Sequence, residues 1–186
     1  MKEDMCWKTS RGFTLMEMVV VVVILSTLSA ITIHFLVNSL KVYTMTINQK
    51  TLLDEAKLAL ERMCRDIRDA RSISVPSPGN SNTLITFKRA NVTAYDSADE
   101  NITFRNNGGT LEKVKASPAA TSALARNVAT FTVTRGATND EITLILTLSL
   151  GTGENVTLQT KVYPKNLIDS AIYKTFFTCW KEELSS

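Results

Sequence analysis

The residues of this chain whose types and spacing suit chemistry stand near its N-terminus: Gly12, Phe13 and Glu17, in the stretch RGFTLMEMVVVVVILSTLSAITIHFLV from Arg11 to Val37. Glu17 is the single acid in an otherwise apolar run. A carboxylate that faces lipid from a helix costs about 2.5 kcal/mol or more unless it has a partner. A cut after Gly12 would create one, because the new α-amino group on Phe13, with a pKa of about 8, is positive at neutral pH. One helical turn separates that amine from Glu17. The two can pair within one chain, or the amine of one helix can pair with the acid of a parallel neighbour, which would set the register of an assembly.

The remainder offers little to a catalyst. His34, the one histidine, lies at the far end of the apolar run. That place suits a polar contact at a membrane interface and excludes ordinary Ser-His-Asp or Cys-His catalysis elsewhere. The sequence holds neither a phosphate-binding glycine loop nor a Cys/His cluster with metal-ligand spacing, so it points to no enzyme, no cofactor and no metal. Asp96, Asp99 and Glu100 could gather a Ca²⁺, but without EF-hand-like spacing they read as a solvated acidic loop. Of the three cysteines, Cys6 would leave with a leader of residues 1–12. Cys64 and Cys179 would remain, and a disulfide between them or two half-buried thiols are both open.

The element that positions Glu17 is the apolar run itself. No formally charged residue occurs from Met18 to Val37, and about 20 residues at 1.5 Å each reach roughly 30 Å, the thickness of a bilayer core. Lys8 and Arg11 flank the run on its N-terminal side, which places that side in the cytoplasm and the bulk of the chain outside. A cleaved secretory signal fits poorly: its apolar core is about 7 to 15 residues before an A-x-A-like site, whereas this run is longer and Leu28-Ser29-Ala30 is a poor site. The formal net charge is +3. A leader with three cations and two acids would take away one unit, and a mild positive balance of this size does not suggest nucleic acid.

Gly12, Phe13, Thr14, Leu15 and Glu17, after a short basic leader and before the apolar run, resemble the N-terminal motif of the type IV pilin-like family. The resemblance implies cleavage between Gly12 and Phe13 by a prepilin peptidase, methylation of the new amine by the same enzyme's N-methyltransferase activity, and insertion of the helix into a filament of pilin or pseudopilin subunits. It also implies a bacterial or archaeal cell, in which the Asn-x-Thr triplets at Asn91, Asn101 and Asn155 read as strand ends rather than glycosylation acceptors.

Beyond the membrane run, Leu53, Ala56, Leu60, Met63, Ile67 and Ala70 recur at alternating steps of three and four, one apolar stripe on a helix with Cys64 beside it. Glu61 four residues before Arg65, and Arg65 four before Asp69, suit a solvated opposite face. With no Pro or Gly inside, these segments predict one helix over residues 13–74, membrane-spanning to about 37 and then an amphipathic stem. Val75 to Asn82, VPSPGNSN, reads as a connecting loop.

Residues 83–166 then alternate with period 2, which predicts an antiparallel β head. Ile85 and Phe87 mark one strand and Ile102 and Phe104 another; Asn106 to Gly109 is a turn that returns Leu111 to Val114 as a hairpin partner. Ala116 to Ala125 reads as a loop, and Val128 to Arg135, Glu141 to Leu150 and Val156 to Tyr163 as a meander whose Ile142, Leu144, Leu146, Leu148 and Leu150 cover the stem. The strands that close with Thr160 to Asn166 resemble the heads of J-type pseudopilins and W-type minor pilins. In residues 167–186, Ile168, Ile172, Phe176, Trp180 and Leu184 stand four apart, an amphipathic tail for the head itself or for a neighbouring subunit.

The expected fold class is α+β, a long N-terminal transmembrane and stem helix packed on an antiparallel β-sheet head. The expected function is that of a minor pilin or pseudopilin, a structural subunit at or near the tip of a type IV pilus or type II secretion filament, in the inner membrane with a periplasmic head. The rivals are a major pilin and a single-pass membrane protein with an unrelated periplasmic binding head.

Overall fold

The computed structural model describes residues 12–94, 96–97, 99–116, 119–137 and 140–167. The chain divides into two compact units, Met1–Thr46 and Ile47–Ser186. Helix α1, Leu15–Arg68, runs through the described part of the first unit and on into the second.

In the first unit the helix buries nothing, and the side chains of the apolar run are all exposed. This stretch is long and apolar enough to cross a membrane. Its few hydroxyls are turned inward: Ser26 and Thr27 donate to the carbonyls of Val23 and Ile24 at 2.8 and 2.9 Å, and Ser29 and Thr32 to those of Leu25 and Leu28 at 2.7 and 2.8 Å. A helix in hydrocarbon requires its polar groups to be satisfied internally in this way.

In the second unit the helix presents Leu52, Ala56, Ala59, Leu60, Met63 and Ile67 to two antiparallel sheets. The strands are β1 (Ala70–Val75), β2 (Ser81–Asn82), β3 (Leu84–Arg89), β4 (Asn101–Asn107), β5 (Thr110–Ala116), β6 (Ala119–Ala125), β7 (Val128–Arg135), β8 (Ile142–Ser149) and β9 (Asn155–Val162). Five form a sheet in the order β1-β3-β4-β5-β6, and four form a second in the order β2-β7-β8-β9.

Alternation decides what faces the core. Ile85 and Phe87 of β3, Ile102 and Phe104 of β4, and Ile142, Leu144, Leu146 and Leu148 of β8 are fully buried, each contributing about 1.5–3 kcal/mol as an aliphatic or aromatic side chain removed from water. Phe87 and Phe104 meet with ring centroids 5.6 Å apart. The β4–β5 hairpin closes through Gly108 and Gly109, both at positive φ (57° and 82°), with Asn107 opposite Thr110. Two positive φ angles in a two-residue loop suit the right-handed twist of the strands it joins.

The α+β architecture, with the stem helix on antiparallel sheet, is therefore present; four local expectations are corrected. The helix stops at Arg68 rather than near 74, because Ala70–Val75 pairs with β3 and the residue before Pro76 is biased toward extended backbone. The buried stripe begins at Leu52, and Leu53 is 42 % exposed; Leu52, Ala56, Ala59, Met63 and Ile67 follow the 3.6-residue period more closely, leaving Leu53 at its margin. The 75–82 loop contains β2, which pairs Ser81 and Asn82 with Thr134 and Val133 of β7. Ala119–Ala125, expected as loop, is strand β6 at the edge of the five-stranded sheet, held by β5 rather than by its own weak β-propensity.

Candidate functional site

At the N-terminal segment the chain enters its helix through Thr14. The Thr14 hydroxyl oxygen accepts a hydrogen bond from the Glu17 backbone N–H at 3.2 Å, and the Thr14 carbonyl accepts one from Met18 N–H at 3.2 Å. This is an N-cap, followed by an acid at the third helical position, where the helix dipole favours negative charge. Thr-x-x-Glu before an apolar run is itself a legible start signal, so Glu17 has a local role in addition to any partner outside the chain. Gly12 has nothing within 4 Å of where a Cβ would stand, and Phe13 is 74 % exposed. Gly12 and Phe13 precede the first helical turn, which begins at Leu15. Residues 7–33 match the prokaryotic N-terminal methylation motif.

The segment is a type IV prepilin-like N-terminus. The match is confined to this segment, and it supports reading the chain as a type IV pilin or pseudopilin. No curated protein and no solved structure matches the chain.

The other expected site residues lie apart from this segment. His34 Nε2 stands 3.0 Å from Asn38 Nδ2 one turn along the same exposed helix, a polar contact rather than a catalytic pair. Cys64 is half-buried on α1, and its Sγ lies 3.9 Å from Thr160 Oγ1 of β9. Burial pushes its thiol pKa up against the opposing pull of that hydroxyl, so a free Cys64 stays protonated at neutral pH. Cys179 lies outside the described residues, as do Cys6 and the tail from Ile168.

The acidic loop is where the structure departs most from the sequence reading. Asp96 and Glu100 are buried, not solvated, and only Asp99 is exposed, paired with Arg71 at 3.1 Å. Arg89 of β3 reaches Asp96 at 2.8 Å, Asp66 at 3.1 Å and Asp69 at 3.3 Å. Lys113 of β5 reaches Asp96 at 2.7 Å and Asp66 at 3.0 Å; Lys115 lies 3.2 Å from Asp96 and 3.5 Å from Glu100. Burial alone would raise the Asp96 carboxyl, but hydrogen bonds and charge from Lys113 and Lys115 outweigh it and hold the pKa below the ordinary value. These carboxylates are committed to protein cations, and among the described residues no acidic or Cys/His group is arranged to hold a metal ion.

Asp69, expected to pair with Arg65 along the helix, instead takes Arg89, Asn91 and Asn166, because the helix has already ended at Arg68. Of the three Asn-x-Thr triplets, Asn101 and Asn155 begin strands β4 and β9, whereas Asn91 follows β3 and binds the Asp69 carboxylate. The network had a sequence signal: Arg89 continues the inward parity of Ile85 and Phe87, and Lys113 and Lys115 continue that of Leu111. Charges at inward positions require buried partners.

Proposed function

We propose that this chain is a minor pilin or pseudopilin, a non-enzymatic structural subunit at or near the tip of a type IV pilus or type II secretion filament. In this reading it is anchored in the inner membrane with residues 1–12 cytoplasmic and the head periplasmic. The observation that carries it is the methylation motif on a capped helix whose apolar run is wholly exposed and holds a single acid, Glu17, in the helix's first turn. In a membrane the exposed side chains meet lipid, and in a filament they meet the same helix of neighbouring subunits. Gly12 and Phe13 are the processing and methylation residues, and Glu17 is the assembly residue.

Two experiments test it. Mass spectrometry of the protein from cells with an active prepilin peptidase is expected to find a chain that starts at N-methylated Phe13; an intact Met1, or a terminus near Ala30, overturns the proposal. Labelling of the subunit in intact filaments is expected to mark the tip at a few copies per filament, whereas labelling along the whole length would make it a major pilin.

Glu17→Val separates insertion from assembly. Membrane insertion is expected to be retained or improved, since an apolar residue enters lipid more easily. Cross-linking to neighbouring subunits is expected to fall to a small fraction of the wild-type yield, because the neighbour's Phe13 amine loses its partner. Unchanged cross-linking would remove Glu17 from the assembly contact.

A further inference from the structure

A groove runs between the last turns of α1 and strand β6, with a volume of about 820 Å³, lined by Arg62, Arg65, Lys113, Ala120, Ser122 and Leu124. Its cations fall into two groups. Arg89 and Lys113 are committed to Asp66 and Asp96, and Lys115 to Asp96 and Glu100. Arg62 and Arg65 are exposed and have no ion-pair partner among the described residues. The groove therefore carries an unneutralised pair of guanidiniums three residues apart on one helix.

The strand beside it is an open edge. Among the described residues β6 pairs only with β5, and its five residues Ala119 to Ala123 keep regular register opposite Ala116 to Glu112, with the one irregularity confined to the end near Leu111. Folded proteins protect such edges with charges, proline, bulges or very short strands. The other edges show these devices: β2 has two residues, β1 has two register irregularities, and β9 carries Lys161 and is followed by Pro164. Ala119–Ala125 holds no charge and no proline. Among the described residues no strand takes up its outer N–H and C=O groups.

We propose that β6 and the Arg62–Arg65 pair form a docking site for an extended, acidic segment of another protein, added as a sixth strand to the five-stranded sheet. Backbone hydrogen bonds to β6 supply the affinity, and alternate side chains of the added strand supply the specificity. Side chains at i and i+2 on one face of a strand are about 6.7 Å apart, while Cβ atoms at i and i+3 on a helix are about 5–6 Å apart. Two acids separated by one residue thus match Arg62 and Arg65. The partner is a different chain: no Asp or Glu in this sequence has another acid two residues away. The site stands whether or not the protein enters a filament.

The test uses the full-length protein in detergent micelles at low salt and two end-blocked peptides, TVEVEVT and TVKVKVT. The acidic peptide is expected to bind at least tenfold more tightly than the basic one, with affinity falling as salt is added, and to slow amide hydrogen exchange in residues 119–125. Arg62→Glu with Arg65→Glu is expected to reverse the preference, so that the basic peptide now binds and protects β6; a gained interaction cannot come from misfolding. Equal binding of both peptides to the wild type, binding without protection of β6, or an unchanged preference in the double variant overturns the proposal. Concentration-dependent protection of β6 with no peptide present would assign the edge to a second copy and overturn it equally.

Discussion

Replacing Arg89 by Ala is expected to destabilise the second unit by about 3–5 kcal/mol, the usual cost of removing one partner from a buried ion pair. Arg89 is the guanidinium on which Asp66, Asp69 and Asp96 converge, at 3.1, 3.3 and 2.8 Å, and its side chain is 8 % exposed. Its loss leaves Lys113 and Lys115 to neutralise the cluster. It also removes a tie between the end of α1 and β3. Urea unfolding of the wild type and the variant checks this, and a difference below about 1 kcal/mol would show that water or the lysines replace the guanidinium. The same network sets an acid limit. The Asp96 carboxyl has a folded pKa below its ordinary value of 3.8, so the unfolded chain takes up the proton first as pH falls. The stabilisation from Asp96 is fully present above about pH 5, declines as pH drops through 4, and is lost below the folded pKa. In Asp96→Asn this part of the acid dependence is expected to disappear.

The second large effect concerns the cysteines. We propose that Cys64 and Cys179 are bonded in the mature protein, closing a loop of more than 100 residues, for which the chain-entropy model gives about 4.7 kcal/mol before native strain is subtracted. Lys165 N–H donates to the carbonyl of Arg68 at 2.9 Å and Leu167 is buried, so the last described residues lie against the end of α1, about one helical turn from Cys64. A groove of about 300 Å³ beside Cys64, between α1 and β9, is lined by Leu60, Leu158 and Thr160. Reduction of the mature protein is expected to lower Tm by about 10 °C or more for a unit of this size. Slow alkylation of the folded protein does not decide the matter, since burial already suppresses the Cys64 thiolate. Labelling in denaturant without reductant does: two labels per mature chain mean two thiols, and none means a bond.

Features that depend on neighbours along the chain were legible before any fold was known. The membrane-length helix, its acid at residue 17 and the charged flank before it form a local pattern, and the structure shows one unbroken helix there with an exposed apolar surface. The turn at Gly108–Gly109 and the inward face of β8 were legible for the same reason, since positive φ and period-2 alternation are properties of consecutive residues. Tertiary structure decided the rest. Ala70 fits the helical stripe, yet Ala70–Val75 is a strand because β3 lies beside it. Ala119–Ala125 has the composition of a loop and is ordered by the hydrogen bonds of β5. Asp96 and Glu100 read as solvated until β3 and β5 bring Arg89, Lys113 and Lys115 against them. A strand's partner and a buried charge's counter-ion are distant in sequence, so no local window contains the energy that selects them.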